Sequence, residues 1–275
     1  MVLAMACFIA NDAIVKRVSE SVPPAQLIFV RGAMASALVL AIALAMRVPM
    51  LPAALREPRV LLRAAIDAGG TFGYLIALFH LPIANATAIN MAAPLFVVAL
   101  AAVLLGERVD GRRWLAVFAG FGGVLLVIRP DVDGFNGHAW LCLLATLLHA
   151  GRDLATRRIP ARFGSLAITR ASLLTVTMVA GAAVVVLGWR ALGAESLALL
   201  AAAATLMASG LMMITMSARV GQMSAIAPWR YTGLLWALVL GWLLWGEVPD
   251  ALAWAGIGLL LAAGLFLMRR EAVPR

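Results

Sequence analysis

The chain reads GERVDGRRW at residues 106–114 and GEVPDALAW at residues 246–254. Gly, Glu, Asp and Trp recur at one spacing, and the second copy lies 246 − 106 = 140 residues after the first. The same offset pairs Leu125 with Leu265 and Arg129 with Arg269. Near the start of each half, NDAIVKR at 11–17 resembles RDLATRR at 152–158. There Asp12 matches Asp153, and Lys16-Arg17 matches Arg157-Arg158. Arg31 likewise matches Arg170. A chain of 275 residues thus states one pattern twice, half its length apart.

Composition says what medium the pattern is built for. Apolar residues make up 64% of the chain and charged residues 13%, about half the charged fraction of a soluble domain, roughly 25%. That leaves no polar face wide enough to coat a water-soluble globule. Apolar runs of about 20 residues match the hydrocarbon thickness of a bilayer. Ten can be read: Val2–Val18, Gln26–Met46, Val60–His80, Asn85–Leu105, Arg112–Arg129, His138–Ile159, Gly164–Trp189, Glu195–Arg219, Gln222–Gly246 and Asp250–Arg269. Helices are expected, because each run crosses alone and satisfies its own backbone. The strand-length alternation of a β-barrel does not occur. The expected fold class is therefore an all-α integral membrane protein with ten transmembrane helices.

The first run lacks the basic n-region and cleavage site of a signal peptide. It is short for a span, so a few native residues are expected to be missing before it. Cys7 and Cys142 fall inside expected helices and read as small apolar packing residues rather than a disulfide.

The net charge of +9 reads as topology and not as nucleic-acid binding. With the N-terminus inside, one side holds Arg47, Arg56, Arg59, Arg63, Arg108, Arg112, Arg113, Arg157, Arg158, Arg162, Arg219, Arg269, Arg270 and Arg275. The other holds Lys16, Arg17, Arg129 and Arg190. That asymmetry is the positive-inside pattern. It places both termini in the cytoplasm of a bacterial-type inner membrane. Ten spans divide into five and five, as residues 1–135 and 136–275. Five is odd, so the second copy enters from the opposite side. The halves become inverted repeats, the usual basis of alternating access in secondary transporters.

In the repeated turn, Asp110 and Asp250 stand where N-caps would accept from the first amides of the following helix. Glu107 and Glu247 lie near the same positive helix ends. These four residues read as a structural turn motif, with a proton or substrate site as the less favoured alternative.

These turns, together with FIANDAIVKR at 8–17, PPAQLIFVRG at 23–32 and LPIANATAINMAAPLF at 81–96 with Pro94, resemble the drug/metabolite transporter superfamily in its EamA-type ten-helix form. The resemblance spans essentially the whole chain. It implies a transporter, not an enzyme, acting on a small organic molecule. Export of an amino-acid or amine type of metabolite is the first expectation. Import of a flavin-, nucleotide- or adenosyl-like compound is the alternative within transport, and a membrane enzyme or scaffold is the alternative outside it. One departure matters. Small multidrug relatives rely on a membrane glutamate in the first helix, whereas the only acid in the first run here is Asp12. Their drug–proton exchange does not carry over.

Ionisable residues inside a membrane are costly and are functional candidates by default. At 1.5 Å per residue, Asp12 and Arg31 both lie roughly 8–9 Å below the outer surface. Asp153 and Arg170 stand in the same relation to the inner one. The two pairs read either as structural ion pairs or as gates that open in turn. Asp67 and Arg230 also share a depth and are candidates to pair. If they do not, Arg230 faces a cavity and wants an anion. Trp229, Tyr231 and Trp236 around it suit a flat or zwitterionic ligand. Asn90 and His149 are deep enough to line the same cavity, and Tyr74 is a further polar candidate. By the offset of 140 Arg230 answers Asn90, a break of symmetry where a substrate would sit. The candidate substrate-binding set is thus Arg230, Asn90, Tyr231, Trp229, Tyr74 and His149. Packing is the competing role for His149. No Walker loop, dinucleotide fingerprint or metal-ligand cluster occurs, so no cofactor and no metal are expected. Energy, if any, would come from an ion gradient, with a proton as candidate coupling ion, or from substrate flow. The expected partners are a small-molecule substrate and the bilayer, in a monomer or weak dimer.

Overall fold

A computed structural model of the chain describes residues 1–45, 52–107, 109–128, 137–160, 162–220 and 227–271. The expected boundary at 135/136 and residues Arg47, Arg108, Arg129, Gln222 and Arg275 lie outside the described residues, as do the side chains of Arg219, Arg269 and Arg270.

The described residues form helices and no strands. In chain order these are α1 (Val2–Ser19), α2 (Pro24–Ala45), α3 (Pro58–His80), α4 (Ile83–Asn90), α5 (Ala93–Leu105), α6 (Gly111–Ile128), α7 (Gly137–Thr156), α8 (Ser165–Leu187), α9 (Ala194–Val220), α10 (Thr232–Trp245) and α11 (Ala251–Glu271), with short 3-10 turns at Pro52–Arg56 and Ala227–Tyr231. Six stretches are long and apolar enough to cross a membrane: Pro24–Ala45, Pro58–His80, Ile83–Leu105, Gly111–Ile128, Leu166–Leu187 and Ala194–Met213. The helices α1 and α7, which carry Asp12, Lys16 and Arg17 or Arg152 and Asp153, are not among them.

Two expected runs are each broken. The run at Asn85–Leu105 divides into α4 and α5 at Met91–Ala92, with a proline in the first turn of α5. Pro94 has no N–H, so the carbonyl four residues back, on Asn90, loses its helical donor. In the run expected at Gln222–Gly246, the described part from Ala227 is a 3-10 turn to Tyr231, and α10 follows from Thr232. Tyr231 lies 140 residues after Met91, so the two breaks fall at matching positions. They also face one another: a Cβ added at Gly233 would lie 3.1 Å from Met91 Cε.

Packing joins the two halves of the chain more than it joins neighbours in sequence. Helix α3 lies along α7, α1 along α9, α6 along α11 and α2 along α8. Further contacts join α3 to α8, α2 to α9, α5 to α7 and α1 to α10. The main core is fully buried and draws on both halves, including Leu27, Ile28, Leu75, Ile83, Ile89, Leu95, Leu200, Leu234 and Leu260. Helices α6 and α11 touch backbone to backbone. A Cβ on Gly123 would meet Gly256 O at 2.6 Å, the close approach that small residues permit between membrane helices.

The repeated turn has the same construction in both copies. Gly106 and Gly246 both adopt φ 65°, the left-handed conformation that ends a helix. The next amide then reaches back six residues, Glu107 N to Ala101 O at 3.3 Å and Glu247 N to Gly241 O at 3.1 Å. The aspartates follow as caps: Arg113 N donates to Asp110 Oδ1 at 2.7 Å, and Ala253 N to Asp250 Oδ1 at 2.9 Å.

Contacts between segments distant in sequence define two ends of the bundle. One end gathers Lys16, Leu81, Ile83 and Glu247. It also holds the parallel rings of His80 and His138, 3.9 Å apart, and Gln26, whose amide exchanges two hydrogen bonds with the Arg190 backbone. The other end gathers Glu107 with Arg157, Glu57 with Arg162 and Arg59 with the Arg158 carbonyl.

Candidate functional site

Polar side chains enter the apolar interior in two clusters, joined by a short bridge. The first sits on α1, α2 and α3. Tyr74 Oη donates to Asp12 Oδ2 at 2.9 Å. Asn11 Nδ2 donates to Asp12 Oδ1 at 2.9 Å, and Arg31 Nη1 donates to Asn11 Oδ1 at 3.3 Å. Asn11, Arg31 and Tyr74 are all buried. Asp12 and Arg31 thus share a neighbourhood, but Asn11 mediates between them and no direct ion pair within 4 Å joins them among the described residues. The Nε of Arg31 keeps no hydrogen-bond partner there.

The second cluster joins α3, α7 and α8. Asp67 Oδ1 accepts from Arg152 Nη1 at 2.8 Å, and its other oxygen lies 3.7 Å from Arg63 Nη1. Arg152 also pairs with Asp153 at 2.8 Å. Arg63 donates to Thr156 Oγ1 at 3.0 Å and to Ser172 Oγ. This network corrects two pairings. Asp67 is engaged by Arg152 and Arg63 and not by Arg230. Asp153 pairs with its neighbour Arg152, and no ion pair to Arg170 occurs among the described residues. The two expectations rested on equal depth along the helices. Depth could not fix the partners' direction around the helix axis, which turns about 100° per residue.

The bridge is made by three of the expected residues. His149 Nδ1 lies 3.1 Å from Asn90 Oδ1, and the rings of Tyr74 and His149 stand 6.2 Å apart. Gly70 makes room for the imidazole, since a Cβ there would lie 2.9 Å from His149 Nε2. Asn90 is the last residue of α4, at the break. The neighbouring helix α7 supports that end: Thr146 Oγ1 lies 3.4 Å from Ile89 O, and Cys142 Sγ lies 3.6 Å from Ala86 O. Both cysteines are free.

The remaining three expected residues diverge. Trp229 is 56% exposed and Arg230 is exposed. Tyr231 is 7% exposed. It turns toward Gly264 of α11, and its hydroxyl has no hydrogen-bond partner among the described residues. Arg230 makes no ion pair there.

The sequence reading missed Asn11, Arg63 and Arg152 as members of these networks. Two signals were available. Arg63 and Asp67 are four apart on one helix, a spacing at which charges meet. The alignment of NDAIVKR with RDLATRR sets Asn11 opposite Arg152, so both halves carry a polar residue beside the paired aspartate.

Comparison with known proteins agrees with this architecture. Residues 1–129 match the model of the EamA-like transporter family. A riboflavin transporter of Rhizobium johnstonii is 31% identical over 213 residues, covering 78% of this chain and 70% of that protein. The pseudopaline exporter CntI of Pseudomonas aeruginosa is 28% identical over 275 residues, covering 98% and 95%. An S-adenosylmethionine uptake transporter of Rickettsia prowazekii is 26% identical over 201 residues, covering 73% and 67%. A solved crystal structure superposes with a TM-score of 0.66 at 19% identity, covering 100% of this chain and 98% of its own, and it bears on the fold alone. The chain belongs to the EamA-like transporters of the drug/metabolite transporter superfamily.

Proposed function

We propose that the chain is a secondary transporter that carries a small organic metabolite, of amino-acid or amine type, through a site between its two helix breaks. The observation that carries this reading is the placement of Arg230. It is exposed and free of acidic partners among the described residues. It stands just before the α10 break, which packs toward the α4/α5 break at Met91. A guanidinium at the middle of a membrane run is costly against lipid and is kept where it meets water or a ligand. Broken helices at the bundle centre are where transporters expose backbone dipoles to their cargo. Arg230 takes an anionic group of the substrate, Asn90 offers hydrogen bonds from the facing break and His149 from α7 beside it, and Trp229 supplies a flat apolar surface.

The fold supports alternating access by two inverted five-helix repeats. Its helix pairings come in matched sets under the repeat: α3 with α7 answers α9 with α1, α3 with α8 answers α9 with α2, and α6–α11 and α2–α8 answer themselves. Both termini then lie on the cytoplasmic face of a bacterial inner membrane, as the basic asymmetry favours. Export is the favoured direction, because the exporter among the relatives matches 98% of this chain. Uptake of a flavin- or adenosyl-like compound is the second reading. One relative's name gives riboflavin as cargo and another's gives S-adenosylmethionine uptake, and the open face of Trp229 suits a flat compound of either kind.

A thermal-shift screen tests the site. The purified protein is melted with each amino acid, riboflavin and S-adenosylmethionine in turn. A ligand at 100 times its dissociation constant adds about 2.7 kcal/mol. The reading expects a stabilising ligand that carries an anionic group and loses its effect in Arg230→Gln. A ligand that stabilises both proteins equally removes Arg230 from the site.

A further inference from the structure

The repeat relates two ion pairs at opposite ends of the bundle. Lys16 and Arg157 are counterparts, since each lies four residues after its aspartate, Asp12 or Asp153. Glu247 and Glu107 are counterparts in the repeated turn. The structure joins Lys16 to Glu247 and Arg157 to Glu107, so each pair crosses between halves and each is the image of the other.

The two images differ. Lys16 Nζ lies 2.8 Å from Glu247 Oε1, with side-chain exposures of 10% and 21%. The pair is reinforced on every side. Lys16 also donates to Leu81 O at 2.7 Å and sits 4.8 Å from the centre of the Trp245 ring. Glu247 Oε2 accepts from Ile83 N at 2.9 Å, satisfying a free amide in the first turn of α4. One contact set thus ties the end of α1, the α3–α4 connection and the α10–α11 turn. At the other end Arg157 Nη1 lies 3.7 Å from Glu107 Oε1, with exposures of 57% and 52%. That is too long for a hydrogen bond, and exposed pairs of this kind hold weakly.

We infer that these are reciprocal latches: Lys16–Glu247 holds one end of the bundle shut while Arg157–Glu107 is slack, and the opposite state closes the second and releases the first. The inference rests on the transporter reading above. It moves the gating role from the Asp–Arg pairs inside the bundle to the Lys/Arg–Glu pairs at its ends. Two copies of one pair in one chain would hold equally in a symmetric state. Their inequality is the mark of a state closed at one end only, and the repeat supplies its mirror image.

Distances between spin labels at both ends test this in lipid nanodiscs, on a background lacking Cys7 and Cys142. One pair is placed at Ser21 and Val248, the other at Arg112 and Arg158; all four positions are exposed. Lys16→Gln is expected to raise the long-distance population at the first end severalfold and to shorten the distance at the second. Glu247→Gln should do the same while its amide oxygen still accepts from Ile83 N, so either variant serves if the other does not fold. Glu107→Gln alone should leave both ends at wild-type values, and added to Lys16→Gln it should abolish the shortening. Lengthening at the first end with no change at the second overturns the latch, and so does the absence of any change. The readout needs no substrate. Reciprocal motion without transport would sink the transport reading and keep the latches; transport without reciprocity would sink the latches alone.

Discussion

Asp67→Asn is the sharpest probe of the interior network. The carboxylate sits between Arg152 at 2.8 Å and Arg63 at 3.7 Å. Removing one member of a buried pair costs about 3–5 kcal/mol when the surviving charge is left alone. Here neither arginine is left alone. Arg152 keeps Asp153 at 2.8 Å, and Arg63 keeps Thr156 and Ser172. Halving the penalty for these retained partners gives about 2 kcal/mol. At roughly 2–4 °C per kcal/mol for a chain of this size, the melting temperature should fall by about 4–8 °C. The assay is a melt of purified protein in one fixed detergent. A double-mutant cycle with Arg152→Gln should show the two changes costing less together than the sum of each alone. Arg230→Gln should rescue nothing, since Arg230 takes no part in the network. An Asp67→Asn protein that melts within 1 °C of wild type, or one rescued by Arg230→Gln, would refute the reasoning.

Two further outcomes follow from packing and topology. Gly123→Ala places a methyl against Gly256 O at 2.6 Å and should cost about 1–3 kcal/mol by overpacking. Gly111→Ala, which meets nothing within 4 Å, should stay within about 0.5 kcal/mol of wild type in the same melt. The proposed orientation, with both termini inside, predicts that a membrane-impermeant thiol reagent applied to cells labels Gly193→Cys and misses Leu55→Cys; the reverse pattern would invert the orientation.

The apolar runs and the doubled turn were legible because each rests on local chemistry. A run of about 20 apolar residues needs a helix in lipid, and glycine at positive φ followed by a capping aspartate is written in five residues, GERVD and GEVPD. The break at Met91 was half legible. Pro94 announced a bend, but its position follows from which carbonyl the proline leaves without a donor. The second break, at Tyr231, carries no proline at the matching place: Pro94 plus 140 is Leu234, and the nearest proline is Pro228. Partners across helices were the least legible. Depth along a run can be counted, but the order in which helices pack cannot. The reading therefore set Asp153 against Arg170 and weighed Asp67 against Arg230, while α3 in fact lies along α7 and brings Arg152 to Asp67. Lys16 and Glu247 are 231 residues apart in sequence, and only the folded chain shows that the two halves exchange their ion pairs.

The central claim is that this chain moves a small metabolite through a site that depends on Arg230. Counterflow into proteoliposomes tests it most directly. Vesicles holding the purified protein are loaded with one unlabelled compound from the amino-acid, riboflavin and S-adenosylmethionine panel. They are then diluted into a trace of the same compound in labelled form. The account predicts transient accumulation of label for at least one compound that bears an anionic group, with none in protein-free vesicles. It also predicts at least tenfold slower accumulation with folded Arg230→Gln, as expected if a charge-assisted hydrogen bond of about 1.5–3 kcal/mol is lost. Accumulation at the wild-type rate in Arg230→Gln, or none for any compound with folded wild-type protein, would contradict it.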